Sequence, residues 1–147
     1  MAAIKRISNA VWKGTGLEGS GTLSSTSGVL NETPYSFAAR IVSEDGKAGT
    51  NPEELIGAAH AGCFSMALSF QLTGAGFPPT QLATKATVEM EKGDAGFRVS
   101  AIKLAVEGTV PGISEEKFLE LAGVAKANCP ISQALAAVPI SLDAKLV

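Results

Sequence analysis

Only two cysteines, Cys63 and Cys129, and one histidine, His60, occur in the 147 residues. Two cysteines are too few for the disulfide scaffold of a secreted protein of this length, and they show no CxxC or Cys/His ligand spacing. No metal site is expected on that ground. Neither sign of charge dominates: 12 Lys and Arg stand against 14 Asp and Glu, a net charge of −2. No basic cluster stands out, so neither a nucleic-acid face nor an anionic-membrane face is expected. The opening residues, Met1 to Arg6, carry their charges without a following apolar run, so no secretory signal is expected. The cytoplasm is the expected compartment, where a cysteine pair is more often redox-active or inert than structural.

Charge is also missing from one long internal stretch. Between Leu55 and Thr73 there is no lysine, arginine, aspartate or glutamate. Asn51, Pro52, Glu53 and Glu54 just before it form a helix start: a capping residue, a proline suited to the first helical position, and two acids at the positive end of the dipole. The helix is predicted to run to about Thr73 and to end at Gly74 or Gly76. It shows no polar stripe. A membrane span is the competing reading, but small residues dominate, His60, Ser65, Ser69 and Gln71 interrupt it, and basic or aromatic anchors are absent. A core helix buried all round is the expectation. One small sheet covers only one side of a helix, so a homodimer sharing this helix is expected.

The remaining chain reads as strands and shorter helices. Ile4 to Trp12 and Thr22 to Leu30 are β-like, and Tyr35 to Val42 alternates as a strand. Leu82 to Met90 and Phe97 to Thr109 form a further pair, with a change of phase between Val99 and Ile102 that predicts a bulge. Ser114 caps a helix from about Glu115 to Ala127, a short helix opens at Pro130, and Val138 to Leu146 closes the chain as a strand. The class is α+β in one domain, residues 1–147, with mainly antiparallel sheet. Gly14 to Gly19 matches GxGxxG, but no helix follows it, so it reads as a loop rather than a phosphate cradle.

Five residues are candidates for chemistry. Cys63 sits mid-helix, where a thiol is either a small hydrophobe or a nucleophile; the second needs a cation from elsewhere. Arg40, between Ala38 and Val42 on a strand face that looks half-buried, is the candidate cation, and Glu53 is its plausible acid partner. Glu53 lies ten residues before Cys63, about 15 Å along a continuous helix, so it cannot touch that cysteine in its own chain. Cys129 precedes Pro130 at a helix start, where backbone N–H groups favour a thiolate. His60 shares a helix face with Cys63. A Cys–His nucleophile for acyl transfer is the rival reading, and packing is the plainer one.

These residues lie in segments that together resemble the OsmC/Ohr family, the osmotically inducible and organic hydroperoxide resistance proteins, and its OsmC branch above all. The segments are Ser27 to Asn31, Gly49 to Ala61, Cys63 to Leu68, Val110 to Ile113 and Asn128 to Gln133. The resemblance implies sheets wrapped around long central helices in an intertwined homodimer. It implies a peroxidase for organic hydroperoxides working without metal, haem or flavin. It assigns Cys63 as the peroxidatic cysteine, Cys129 as the resolving cysteine, Glu53 as the acidic partner and Arg40 as the arginine. An external dithiol, with lipoyl proteins among the candidates, would restore the enzyme. A redox sensor or hydrophobic-ligand binding protein using the same pocket is the alternative.

Overall fold

The computed structural model describes all residues, Met1–Val147, and the chain divides into two compact units, Met1–Pro52 and Glu53–Val147. The first unit is an antiparallel sheet of β1 (Ser8–Lys13), β2 (Ser20–Ser25) and β3 (Thr33–Tyr35). Gly14 to Gly19 is the loop between β1 and β2, as its composition suggested. Gly21 is opposite Trp12 on one side and Tyr35 on the other. The two rings meet across it with centroids 5.3 Å apart, and a Cβ at Gly21 would sit 2.7 Å from the indole. Only glycine leaves room for that aromatic pair.

The strand expected over Tyr35 to Val42 is not one. It ends at Tyr35, and Ala38–Val42 is a single π-helical turn closed by the Ser43 N–H donating to the Ala38 carbonyl at 2.9 Å. Ser36 is the reason: its hydroxyl accepts from the Ala39 N–H (3.1 Å) and its carbonyl accepts from the Arg40 N–H (3.1 Å). Local bonds of this kind give the backbone an alternative to a strand ladder. Arg40 is consequently exposed, not half-buried.

The second unit opens with α1 (Pro52–Gly74), close to its expected limits. Then come β4 (Gln81–Gly93) and β5 (Gly96–Thr109), an antiparallel hairpin whose register slips between Glu89 and Met90, opposite Ala101 and Val99. Ser100 is the extra residue, at the phase change seen in the sequence. α2 (Glu115–Asn128) follows, with the Ser114 hydroxyl accepting from the Lys117 N–H, then α3 (Pro130–Ala134) and β6 (Ile140–Leu146). β6 pairs parallel to β5, as a helical crossover requires, so three of the four strand pairings are antiparallel.

One face of the β4-β5-β6 sheet is built from residues in matching register: Val88–Ile102–Ile140, Ala86–Leu104–Leu142 and Thr84–Val106–Ala144. On that face lie Phe64, Leu68 and Leu72 of α1 and Phe118, Leu121, Ala122 and Ala125 of α2, which complete the core. At Gly108 of β5 the Phe118 ring approaches so closely that a Cβ would stand 2.6 Å from it. The opposite sheet face carries Lys85, Lys103, Glu107, Asp143 and Lys145, all exposed.

In the single chain α1 is buried along one side. Gly57, His60, Phe64, Leu68 and Leu72 form one buried stripe. The other side, Ala58, Ala59, Gly62, Met66 and Phe70, is open to solvent in the single chain, with Met66 64% and Phe70 72% exposed. By length and composition α1 could cross a membrane. Its polar groups instead find partners in its own unit: Ser65 hydrogen-bonds Thr84 of β4 (2.6 Å) and His60 hydrogen-bonds Ser132 of α3 (2.7 Å).

Candidate functional site

The helical period turns His60, Phe64, Leu68 and Leu72 toward the core and leaves Cys63 at its margin, half-buried. Cys129 stands at the junction of two helices. Its N–H donates to the Ala125 carbonyl (2.8 Å), ending α2, and its own carbonyl accepts from the Gln133 N–H (3.0 Å), starting α3. Pro130 at the first position of α3 forbids continuation of α2 and turns the chain there. The Cys129 side chain is thereby fully buried, at the first turn of α3.

The two thiols meet. Both are reduced, and the two sulfurs are near enough for each to shift the ionisation of the other. Burial pushes the Cys63 thiol above its ordinary 9.0, the Cys129 sulfur beside it pushes in the same direction, and the Ile131 N–H opposes them. Burial also works against ionisation of Cys129. The Cys129 side chain makes no capping hydrogen bond, but the nearby Ser132 N–H, Cys63 thiol, Ser132 hydroxyl and Ile131 N–H favour its charged form and hold it below its ordinary value. Within the second unit Cys129, not Cys63, is thus the more readily ionised sulfur. None of the influences on Cys63 there is a cation.

Arg40 lies in the first unit on the π-helical turn, and Glu53 lies in the first turn of α1, half-buried. Neither is without an interaction partner. α1 is continuous from Pro52 to Gly74, so Glu53 and Cys63 of one chain remain about 15 Å apart along its axis. Phe64, next to Cys63, is in the core, whereas Met66 is exposed.

Sequence reasoning undervalued two residues. His60 is completely buried, and its Nε2 meets the Ser132 Oγ at 2.7 Å, while Nδ1 is buried without a hydrogen-bond partner. Neither ring nitrogen bonds Cys63, which removes the geometry of a Cys–His nucleophile. Burial holds the imidazole below its ordinary 6.5, so it is neutral near pH 7. Ser132 follows Cys129 by three residues, the spacing that turns it back toward the sulfur, whose ionisation it favours. That spacing is visible in Asn128-Cys129-Pro130-Ile131-Ser132; the link to His60, 72 residues away, is not.

Residues 44–143 match the family model described as OsmC-like protein. A curated relative, Peroxiredoxin OsmC of Escherichia coli (strain K12), is 51% identical over 143 residues, 97% of each chain. The Organic hydroperoxide resistance protein OhrB of Bacillus subtilis (strain 168) is 28% identical over 115 residues, 78% of this chain and 80% of its own. The crystal structure of Bacillus subtilis OhrB superposes with a TM-score of 0.69 at 25% identity, covering 96% of this chain and 98% of that one. This chain belongs to the OsmC-like protein family.

Proposed function

We propose that this chain is a thiol-dependent peroxidase that reduces organic hydroperoxides to alcohols. The observation that carries the reading is the pair of reduced thiols, one on α1 and one at the α2–α3 junction, near enough to shift each other's ionisation. The kinship with a peroxiredoxin and with an organic hydroperoxide resistance protein agrees with it.

The Cys63 thiolate attacks the distal oxygen of R–O–OH. An S–O bond forms, the O–O bond breaks, and the alkoxide leaves and takes a proton to become ROH. Cys63 is now a sulfenic acid. Cys129, already favoured as thiolate, attacks the Cys63 sulfur. The disulfide forms and hydroxide leaves, to be protonated to water. An external dithiol reduces the disulfide by exchange and is itself oxidised. Arg40 supplies the positive charge that Cys63 lacks within its own unit, and Glu53 orients that guanidinium. No metal or organic cofactor enters the cycle.

The working molecule is a cytoplasmic homodimer, each chain one OsmC-like domain over residues 1–147. Its support is the outward stripe of α1, where Met66 and Phe70 expose apolar surface that a second copy would cover. Lipoyl proteins are the proposed source of the dithiol.

The test is turnover of tert-butyl and cumene hydroperoxide with dithiothreitol. Wild-type protein should consume both, and Cys63→Ser should consume neither. Activity retained in Cys63→Ser would remove it as nucleophile. Stoichiometric oxidation without turnover would favour a redox sensor, and ligand binding without oxidation would favour a hydrophobic-ligand carrier.

A further inference from the structure

The short helix α3 turns inward on a polar residue: Ser132 is the one member of its five residues that is fully buried. The Ser132 hydroxyl meets the His60 Nε2 at 2.7 Å, a link between α1 and α3 across 72 residues. His60 is the sole histidine, is completely buried, and has no part in the cycle just described. Its Nδ1 is buried without a partner. A buried N–H with no acceptor is rarer than an under-used acceptor. The ring hydrogen therefore belongs on Nε2, and the Ser132 oxygen accepts it.

α3 needs such a link, because a helix of little more than one turn does not hold its shape alone. Its backbone runs close to α2 but hardly approaches α1. The Gln133 side chain donates to the Ala127 carbonyl near the end of α2 (3.3 Å), and Ile131 packs on the core. Toward α1 it is held by the His60–Ser132 bond. The spacing along each helix gives that bond a use. His60 precedes Cys63 by three residues on α1, and Cys129 precedes Ser132 by three at α3. The hydrogen bond and the thiol pair thus span the same two segments, about one helical turn apart. Both sulfurs adjoin one apolar cluster, with Cys129 inside it and Cys63 packed against it.

We propose that His60 and Ser132 are positioning residues for the resolving step: their hydrogen bond pins α3 to α1 and so sets the effective concentration of Cys129 at Cys63. The pin acts through the two helix backbones and needs no bond from Ser132 to sulfur. It deepens the peroxidase reading and rests on it for the step it serves.

The effective concentration can be measured without peroxide, by equilibrating the protein with reduced and oxidised glutathione and reading the disulfide by quenched intact-mass spectrometry. One S–S bond forms between Cys63 and Cys129, the glutathione S–S bond breaks, and two glutathione thiols carry off the protons. Ser132→Ala and His60→Leu should each lower the effective concentration about fivefold, the worth of one hydrogen bond. The double variant should be no worse than either single, because both remove the same bond. Ser132→Thr keeps the hydroxyl, and His60→Gln places an amide near the Nε2 position; both should stay within about twofold of wild type. Ser65→Ala is the control, since it removes the hydrogen bond of α1 to Thr84 and leaves α3 alone; it should change nothing. Ser132→Ala against Ser132→Thr decides the matter if His60→Leu does not fold. An unshifted equilibrium in Ser132→Ala would overturn the pin. So would losses that add in the double variant, a Ser65→Ala loss as large as the others, or a wild-type protein that forms no Cys63–Cys129 disulfide. A wild-type protein that forms the disulfide but turns over no peroxide would overturn the peroxidase reading, while the equilibrium would still decide the pin.

Discussion

Replacing Gly108 with alanine should loosen the hold of α2 on the sheet, and its cost can be worked from the packing. The added Cβ would lie 2.6 Å from two atoms of the Phe118 ring and 3.3 Å from the Leu82 Cδ2. Phe118 is fully buried and its N–H is tied to the Ser114 carbonyl at 3.0 Å, so the ring cannot swing into solvent. The helix must move off the strand or the ring must leave its rotamer. Overpacking of this kind costs about 1–3 kcal/mol. Alanine recovers about 0.5–1 kcal/mol of chain entropy relative to glycine, leaving a net loss of about 1–2 kcal/mol. The effect should reach the site, because Phe118 and Cys129 are the two ends of one helix, about 16 Å apart along its axis. Urea unfolding followed by circular dichroism, at fixed protein concentration, measures the loss. Phe118→Leu removes part of the ring, so the double variant should be more stable than the sum of the two singles predicts, by about 0.5 kcal/mol or more. Strict additivity, or a neutral Gly108→Ala, would refute the claim that this contact sets the seat of α2.

Arg40→Ala should move alkylation of Cys63 to higher pH; an unchanged profile would mean that another cation serves the thiolate. Phe70→Asp, on the outer stripe of α1, should shift the mass measured by light scattering from two chains to one, and an unaltered mass would place the dimer contact elsewhere. Stability should fall as pH drops below 6.5: the unfolded chain then protonates its one histidine, while burial keeps the folded His60 neutral. Its contribution is complete above 6.5 and is lost toward its lower folded value. His60→Gln should flatten urea midpoints between pH 6.5 and about 5, above the ordinary carboxylate range; a slope equal to wild type would refute the assignment.

Much of the architecture was legible because it rests on local rules. The start of α1 is written in Asn51-Pro52-Glu53-Glu54, its end in Gly74, the start of α2 in Ser114, and the α2–α3 break in Cys129-Pro130. The bulge in β5 showed as a phase slip because strand side chains alternate with period two. The strand expected through Arg40 failed for an equally local reason. Alternation of apolar residues fits more than one backbone, and the Ser36 side chain tipped the balance toward a turn.

By itself the sequence determined which residues could do chemistry and where each helix begins, since capping, proline geometry and charge depletion act within a few residues of chain. Only the tertiary structure decided which sulfur is easier to ionise and what faces it. That outcome depends on burial and on groups of α1 and α3 arriving at one point: Cys63 meets Cys129 across 66 residues, and His60 reaches Ser132 across 72. Contacts so distant along the chain leave no periodic or compositional trace, because they exist only once the sheet has brought the three helices together.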